Sequence, residues 1–285
     1  MAAVRSTFGS CLDTSSSFFT SPVNKLSVKC GSAAFLDKVL KTADPIFDLA
    51  GVIAEAQGAS DETLKGIGKG RALAKTGRDA MAFFNIFQGI IPALINNMKN
   101  IYALISGLLT CETPQPVNLK ATPKRHNEKA VSSEEKWAAL AENVGKGVGA
   151  ASFIAGFGVC RPIATYEKYI SRTIDPTASK IGKAFPTVMM VNHIGGIVGH
   201  SSALIFQKLA FDREVALYGF NLDVQLEFQK KIIENGMALA GKGLELVADV
   251  VHHAGVAAPA GFRIPLQLSV GVLSIAKEWL KEEKE

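Results

Sequence analysis

The chain has 285 residues, of which 48% are hydrophobic and 20% charged, a composition that predicts a folded protein and excludes disorder throughout. Its net charge of +5 is mild, and Lys and Arg are scattered among Asp and Glu, so no nucleic-acid-binding stripe is indicated. The mean hydropathy of +0.19 predicts apolar surface that faces lipid or a partner.

Residues 1–34 are rich in Ser, Thr and Gly and lack apolar periodicity, which predicts a flexible leader. Because no seven-residue apolar core follows Arg5, a general secretory signal peptide is not expected, and export would need another route. Neither a zinc site nor a disulfide framework is predicted, since no C-x-x-C pair occurs among Cys11, Cys30, Cys111 and Cys160.

Residues 35–111 form a predicted N-terminal helical region. Ser32 can cap a first helix that runs to about Lys41. The Asp44-Pro45 step is expected to start a second helix, because proline is favoured at the first helical position.

After a predicted break at residues 58–61, a helix over residues 62–75 is followed by an uncharged apolar stretch over residues 80–98. The stretch is just long enough to cross a bilayer. Because it contains Pro92 and several amide side chains, a membrane span and a kinked core helix are both open interpretations.

A Pro-rich and charged composition over residues 112–133 predicts a linker before a C-terminal helical region, residues 134–285. The first helix of that region is expected to begin at Ser133 and to end at Arg161-Pro162. Since no alternating strand pattern occurs, helical period, caps and Ala content predict an all-α multi-helix bundle with several moderately long apolar helices.

The stretch over residues 184–207 lacks Lys, Arg, Asp and Glu and is the best membrane-span candidate. Within it Gly195, Gly199 and Ala203 recur every four residues. Such a stripe lets two helices approach at backbone distance, either in lipid or in a soluble core, and self-association through it is possible.

No catalytic residue, cofactor or metal site is predicted, so the chain is not expected to be an enzyme. The glycines around Lys69 lack the spacing of a phosphate-binding loop, and no nucleophile elbow occurs. A metal site is conceivable, but no H-E-x-x-H motif joins any of the histidines His193, His200, His252 and His253.

Several short sequences, in the same order over nearly the whole chain, resemble the inclusion membrane proteins of chlamydiae, and most closely the class I accessible protein family. They are Phe18-Phe19-Thr20-Ser21-Pro22-Val23-Asn24-Lys25, Lys65-Gly66-Ile67-Gly68, Phe87-Gln88-Gly89 with Pro92, Cys160-Arg161-Pro162-Ile163, Asn192-His193 with Val198-Gly199, and Leu246-Val247-Ala248-Asp249-Val250.

The resemblance implies a bacterial effector that is delivered by a type III secretion system to the membrane of the vacuole, or inclusion, in which the bacterium grows. There it would act as a non-enzymatic helical interaction protein at the host–pathogen interface, with host or bacterial protein partners. Many members carry two long apolar helices joined by a tight hairpin, whereas the apolar stretches here are several and interrupted by polar residues. Integral insertion and peripheral association are therefore both open. The alternative is a soluble helical effector or scaffold.

Overall fold

The computed structural model describes residues 32–109, 131–169, 176–253 and 259–280. No strand occurs in these ranges, so the predicted all-α bundle is confirmed. The predicted leader, residues 1–34, and the predicted linker, residues 112–133, lie almost wholly outside the described residues, as do Cys11, Cys30 and Cys111.

The described residues form six helical rods and one short helix. In chain order the helices are α1 (Ala33–Ala56), α2 (Asp61–Asn85), α3 (Ile91–Leu109), α4 (Ser133–Phe153), α5 (Arg161–Tyr169), the short α6 (Pro176–Lys183), α7 (Phe185–Tyr218), α8 (Leu222–His253) and α9 (Ala260–Leu280). Two of the rods are double, because α2 continues into α3 and α4 into α5 through π-helical segments.

The two π-helical segments, Ile86–Ile90 and Ile154–Cys160, each end two residues before a proline, Pro92 or Pro162. A proline has no amide hydrogen, and its ring crowds the carbonyl four residues earlier. A widened turn at that point accommodates both effects and keeps the rod helical. The predicted helix end at Arg161-Pro162 is therefore wrong, and the two helices predicted over residues 62–98 are parts of one rod.

Helix α1 also differs from its prediction. It runs without interruption through Asp44 and Pro45, so the expected helix start at this step is wrong. Pro45 is fully buried, and the packing of its ring inside the bundle outweighs the backbone hydrogen bond that it cannot make. Ser32 does occupy the position before the first helical residue, although its side chain makes no capping hydrogen bond.

The rods pack in a closed order. Each contacts the next along the chain, and α9 returns to pack against α1. A small apolar cluster of Ala82, Ile86, Phe157 and Met189 lies where the two π-helical segments meet α7. The three rods α2–α3, α4–α5 and α7 are therefore consecutive neighbours on one side of the bundle, and α8, α9 and α1 form the other.

Candidate functional site

The small-residue stripe of α7 lies against α4. A Cβ atom added to Gly195 would lie 2.7 Å from the backbone nitrogen of Gly149, and one added to Gly199 would lie 2.9 Å from the backbone nitrogen of Lys146. Real Cβ atoms do not approach other atoms at such distances, so only glycine fits. Ala203, the third residue of the stripe, is fully buried.

The opposite side of α7 is apolar and faces outward. Val191, Ile194, Val198 and Ile205 recur at intervals of three, four and seven residues, and each is at least 41% exposed. This spacing places them on one helical face. Helix α7 thus has small and polar residues inside and large apolar residues outside, the reverse of a helix at the surface of a water-soluble bundle.

The same arrangement occurs in the neighbouring rods. Exposed large apolar side chains on α2–α3 and its π-helical segment include Phe83, Phe87 and Met98, and those on α4 include Trp137 and Val144. Within the described ranges, three continuous helical segments are long and apolar enough to cross a membrane: Asp61–Leu108, Ser133–Glu167 and Pro176–Tyr218. All three belong to the same side of the bundle.

The inward face of α7 carries two buried polar residues, Asn192 and His193, which are 6% and 5% exposed. The Asn192 Nδ2 atom donates a hydrogen bond of 2.6 Å to the carbonyl oxygen of Gly149 on α4. Its Oδ1 atom accepts a hydrogen bond of 2.9 Å from the Nζ atom of Lys242 on α8. Asn192 therefore links α7 to the helices on both of its sides.

His193 lies between two carboxylates of α8. Its Nδ1 atom is 2.9 Å from Glu245 Oε2, and its Nε2 atom is 3.0 Å from Asp249 Oδ2. Because the carboxylates approach opposite nitrogens of the ring, the three side chains cannot hold one metal ion together. Across the described part of the chain, no group of His, Cys, Asp and Glu has the geometry of a metal site.

Glu245 is the centre of this polar cluster. It also accepts a hydrogen bond of 2.9 Å from Lys242, and it contacts the Nζ atom of Lys41 on α1. We call the set formed by Lys41, Asn192, His193, Lys242, Glu245 and Asp249 the polar centre. It joins α1, α7 and α8 across the interior of the bundle.

Burial dominates the electrostatics of the two lysines of the polar centre. The pKa of Lys242 is lowered to about 7, first because burial removes its ammonium group from water and then because Lys38 and Lys277 add positive charge nearby. The pKa of Lys41 lies well below its ordinary value for the same first reason, and Arg78 and Lys38 lower it further. Burial in the closed bundle therefore disfavours the charged form of both lysines.

The remaining candidate histidines do not join the polar centre. His200 lies about two turns after His193 on α7. Its Nδ1 atom is 3.0 Å from Asn235 Oδ1 on α8. His193 and His200 therefore both face α8, at positions about two turns apart. The side chains of His252 and His253 lie outside the described residues.

Lys41, Lys242 and Glu245 were not predicted as site residues. A signal for α8 is present in the sequence, because Lys242, Glu245 and Asp249 follow a three- and four-residue spacing that places them on one helical face. Which helix that face would meet depends on the tertiary fold. Comparison with family models, curated proteins and solved structures found no match to this chain.

Proposed function

We propose that this chain is a type III secreted bacterial effector of the inclusion, or vacuole, membrane, where it acts as a non-enzymatic helical protein that presents a surface to host or bacterial proteins. The membrane assignment is supported by the three neighbouring rods α2–α3, α4–α5 and α7, which are each long and apolar enough to cross a membrane and carry exposed large apolar side chains. Export and the vacuole rest on the resemblance to chlamydial inclusion membrane proteins.

The free energy of transfer from water to lipid is favourable for the exposed apolar side chains of these rods. Transferring one large apolar side chain from water to an apolar medium gains about 1.5–3 kcal/mol. Val191, Ile194, Val198 and Ile205 alone make this gain considerable for α7. An isolated exposed Leu or Val needs no explanation, whereas many exposed large apolar side chains on three adjacent rods of spanning length are typical of a membrane or partner surface.

The ends of the apolar stretch in α7 fit a bilayer. At about 1.5 Å per residue, residues 184–207 span about 36 Å, which exceeds a hydrocarbon core of about 30 Å. Lys183 and Lys208 flank the stretch. Their long side chains can extend to the headgroups while their stems stay in apolar surroundings.

Alkaline carbonate extraction of vacuole membranes from infected cells tests the membrane part. The parent protein is expected to stay in the pellet. The variant Ile194→Lys with Val198→Lys should move to the supernatant, because each lysine in the middle of a spanning helix costs about 2.5–3.5 kcal/mol. The matched variant Leu226→Lys with Ile233→Lys alters two exposed positions of α8 and should stay in the pellet. Recovery of the parent in the supernatant would contradict the proposal.

The export part is tested separately. A chain that starts at Ala34 lacks the Ser-rich leader and should not be secreted by a type III system, because a narrow secretion channel admits an unfolded segment first. Fusing residues 1–34 to an unrelated reporter should make the reporter a secreted protein. Secretion of the shortened chain would refute a type III leader in this segment.

A soluble helical effector or scaffold is the second candidate, and the ion pairs of the bundle favour it. Helices α1, α8 and α9 carry ion pairs such as Arg263 with Asp48, 2.7 Å, and Lys231 with Glu227, 2.7 Å. Sedimentation of the purified protein without detergent, first alone and then with phospholipid vesicles, distinguishes the two. A monomer that does not bind vesicles would support the scaffold.

A further inference from the structure

We infer that the closed bundle is a masked form, in which α8 covers the polar face of α7, and that these two helices must separate when α7 enters a membrane. The inference rests on the proposed membrane function. It follows from the register between the two helices, from the charges that this register places beside the apolar stretch, and from the contacts that hold the pair closed.

Helices α7 and α8 are antiparallel neighbours with a constant register. Three contacts fix it: His193 with Glu245 at 2.9 Å, His200 with Asn235 at 3.0 Å, and the stacked rings of Phe211 and Phe228 with centroids 4.4 Å apart. As the residue number rises along α7, its partner's number falls along α8. Residues 185–207 of α7 therefore lie beside approximately residues 231–253 of α8.

This register is incompatible with a membrane around the closed pair. The segment of α8 beside the apolar stretch contains the charged residues Lys231, Glu234, Lys242, Glu245 and Asp249. Lys242 lies beside about residue 196, in the middle of the apolar stretch, and its side chain is 28% exposed. A charged residue in the middle of a bilayer costs about 2.5–3.5 kcal/mol, so α8 cannot remain beside an inserted α7.

The contacts of α7 with α4 are made mainly by glycines and backbone atoms. Gly195 and Gly199 meet the backbone of α4, and Asn192 donates to the Gly149 carbonyl at 2.6 Å. Close contacts between glycines suit helix association in lipid, and the charged side chains beside Gly199, Lys146 and Glu142, form an ion pair within α4 itself. The three apolar rods can therefore stay together while α8 leaves, and the short connection over residues 219–221, where Gly219 has φ of +76°, is the point about which the pair would open.

Cross-linking in the full chain tests whether α7 and α8 must separate before α7 enters a membrane. In a background with all four cysteines replaced by Ser or Ala, His200→Cys with Asn235→Cys locks α7 to α8, and Asn100→Cys with Asn143→Cys locks α3 to α4. The two pairs are matched, because the parent side chains are 3.0 Å and 3.1 Å apart. A reducible bis-methanethiosulfonate reagent closes each lock, and vesicles of phosphatidylcholine and phosphatidylserine receive the protein.

The α7–α8 lock should lower the carbonate-resistant fraction at least about tenfold, since the charges of α8 would have to enter the bilayer. Reduction of the cross-link should restore insertion of the same sample. The α3–α4 lock should leave insertion unchanged. Equal insertion of the α7–α8-locked and reduced proteins would overturn this inference alone, whereas failure of every reduced protein to insert would overturn the proposed function and the inference with it.

Discussion

The backbones of Gly145 and Gly199 are in direct contact, so that a Cβ atom added to Gly145 would lie 2.8 Å from the Gly199 Cα atom. The contact is reciprocal, because Gly195 meets Gly149 in the same way one turn along. Four glycines on two helices thus let α4 and α7 approach more closely than any other residue would allow.

Replacing Gly199 by Leu should destabilise the protein more than replacing Ala203 by Ser. The new Cβ atom would lie 2.9 Å from the Lys146 backbone nitrogen, which can move only if the helices separate. We expect a loss of about 3 kcal/mol or more in the free energy of unfolding, or loss of the fold. Ser at position 203 can donate its hydroxyl to a carbonyl one turn earlier and should cost about 1 kcal/mol. Urea unfolding measures both, and equal stability of the two variants would contradict the glycine contact.

The stripe on α7 was visible in the sequence because a four-residue repeat is a local pattern. Its partner on α4 was less visible, although Gly145 and Gly149 have the same spacing. The packing of the whole bundle decides which glycine-containing helices contact each other. The continuous α1 was missed for a related reason, since the local preference of Pro45 for a helix start is overridden by its burial in the tertiary fold.

Two glycines of α2 should respond in opposite ways to alanine. A Cβ atom at Gly68 meets nothing within 4 Å, whereas one at Gly70 would lie 2.7 Å from Cε1 of Phe47. Gly68→Ala should raise the free energy of unfolding by about 0.5–1 kcal/mol, because alanine loses less backbone entropy in a helix. Gly70→Ala should be less stable than Gly68→Ala by about 1 kcal/mol or more. Thermal unfolding in parallel checks the order, and two equal gains would show that Phe47 moves freely.

The pair formed by Arg213 and Glu135 fastens the end of α7 to the beginning of α4. Arg213 Nη1 donates to Glu135 Oε2 at 2.9 Å, and Glu135 is only 2% exposed. Arg213→Met would leave a buried carboxylate without its partner, and we expect a loss of about 3–5 kcal/mol.

Lys208→Met is the control for this pair. The Lys208 side chain is 69% exposed and pairs with Asp212 one turn away, so its removal should leave stability nearly unchanged. Chemical unfolding of both variants at neutral pH measures the difference. If Arg213→Met unfolds at the same urea concentration as Lys208→Met, the buried pair does not stabilise the fold.

The polar centre could be predicted from the sequence only in part. Asn192 and His193 in an apolar stretch predict partners, because a buried polar group without one costs about 1–3 kcal/mol. The identity of those partners depends on contacts between different helices, Lys242 with Asn192 on the neighbouring α7 and Lys41 with Glu245 about 200 residues apart in the chain. Nothing in the local pattern of α1 distinguishes Lys41 from the solvated lysines of the other helices.

The last prediction concerns the pH dependence of stability that the polar centre produces. In the folded protein the pKa of Lys242 is lowered to about 7, and that of Lys41 is also lowered well below its ordinary value. In the unfolded chain both lysines titrate near 10.4. Between about pH 7 and pH 10 the unfolded chain therefore binds more protons at these sites than the folded chain does, and stability rises with pH in this window.

Lys242→Met removes one of these two groups and should flatten the rise. The loss can reach about 1.4 kcal/mol per pH unit for one site. Lys208→Met serves again as the control and should keep the slope of the parent. Urea unfolding at about pH 7, 8 and 9 without detergent measures the three slopes. Because Glu245 retains Lys41 and His193 as neighbours, the variant should remain folded at neutral pH. A slope in Lys242→Met equal to that of the parent would mean that Lys242 does not titrate in this window in the folded protein.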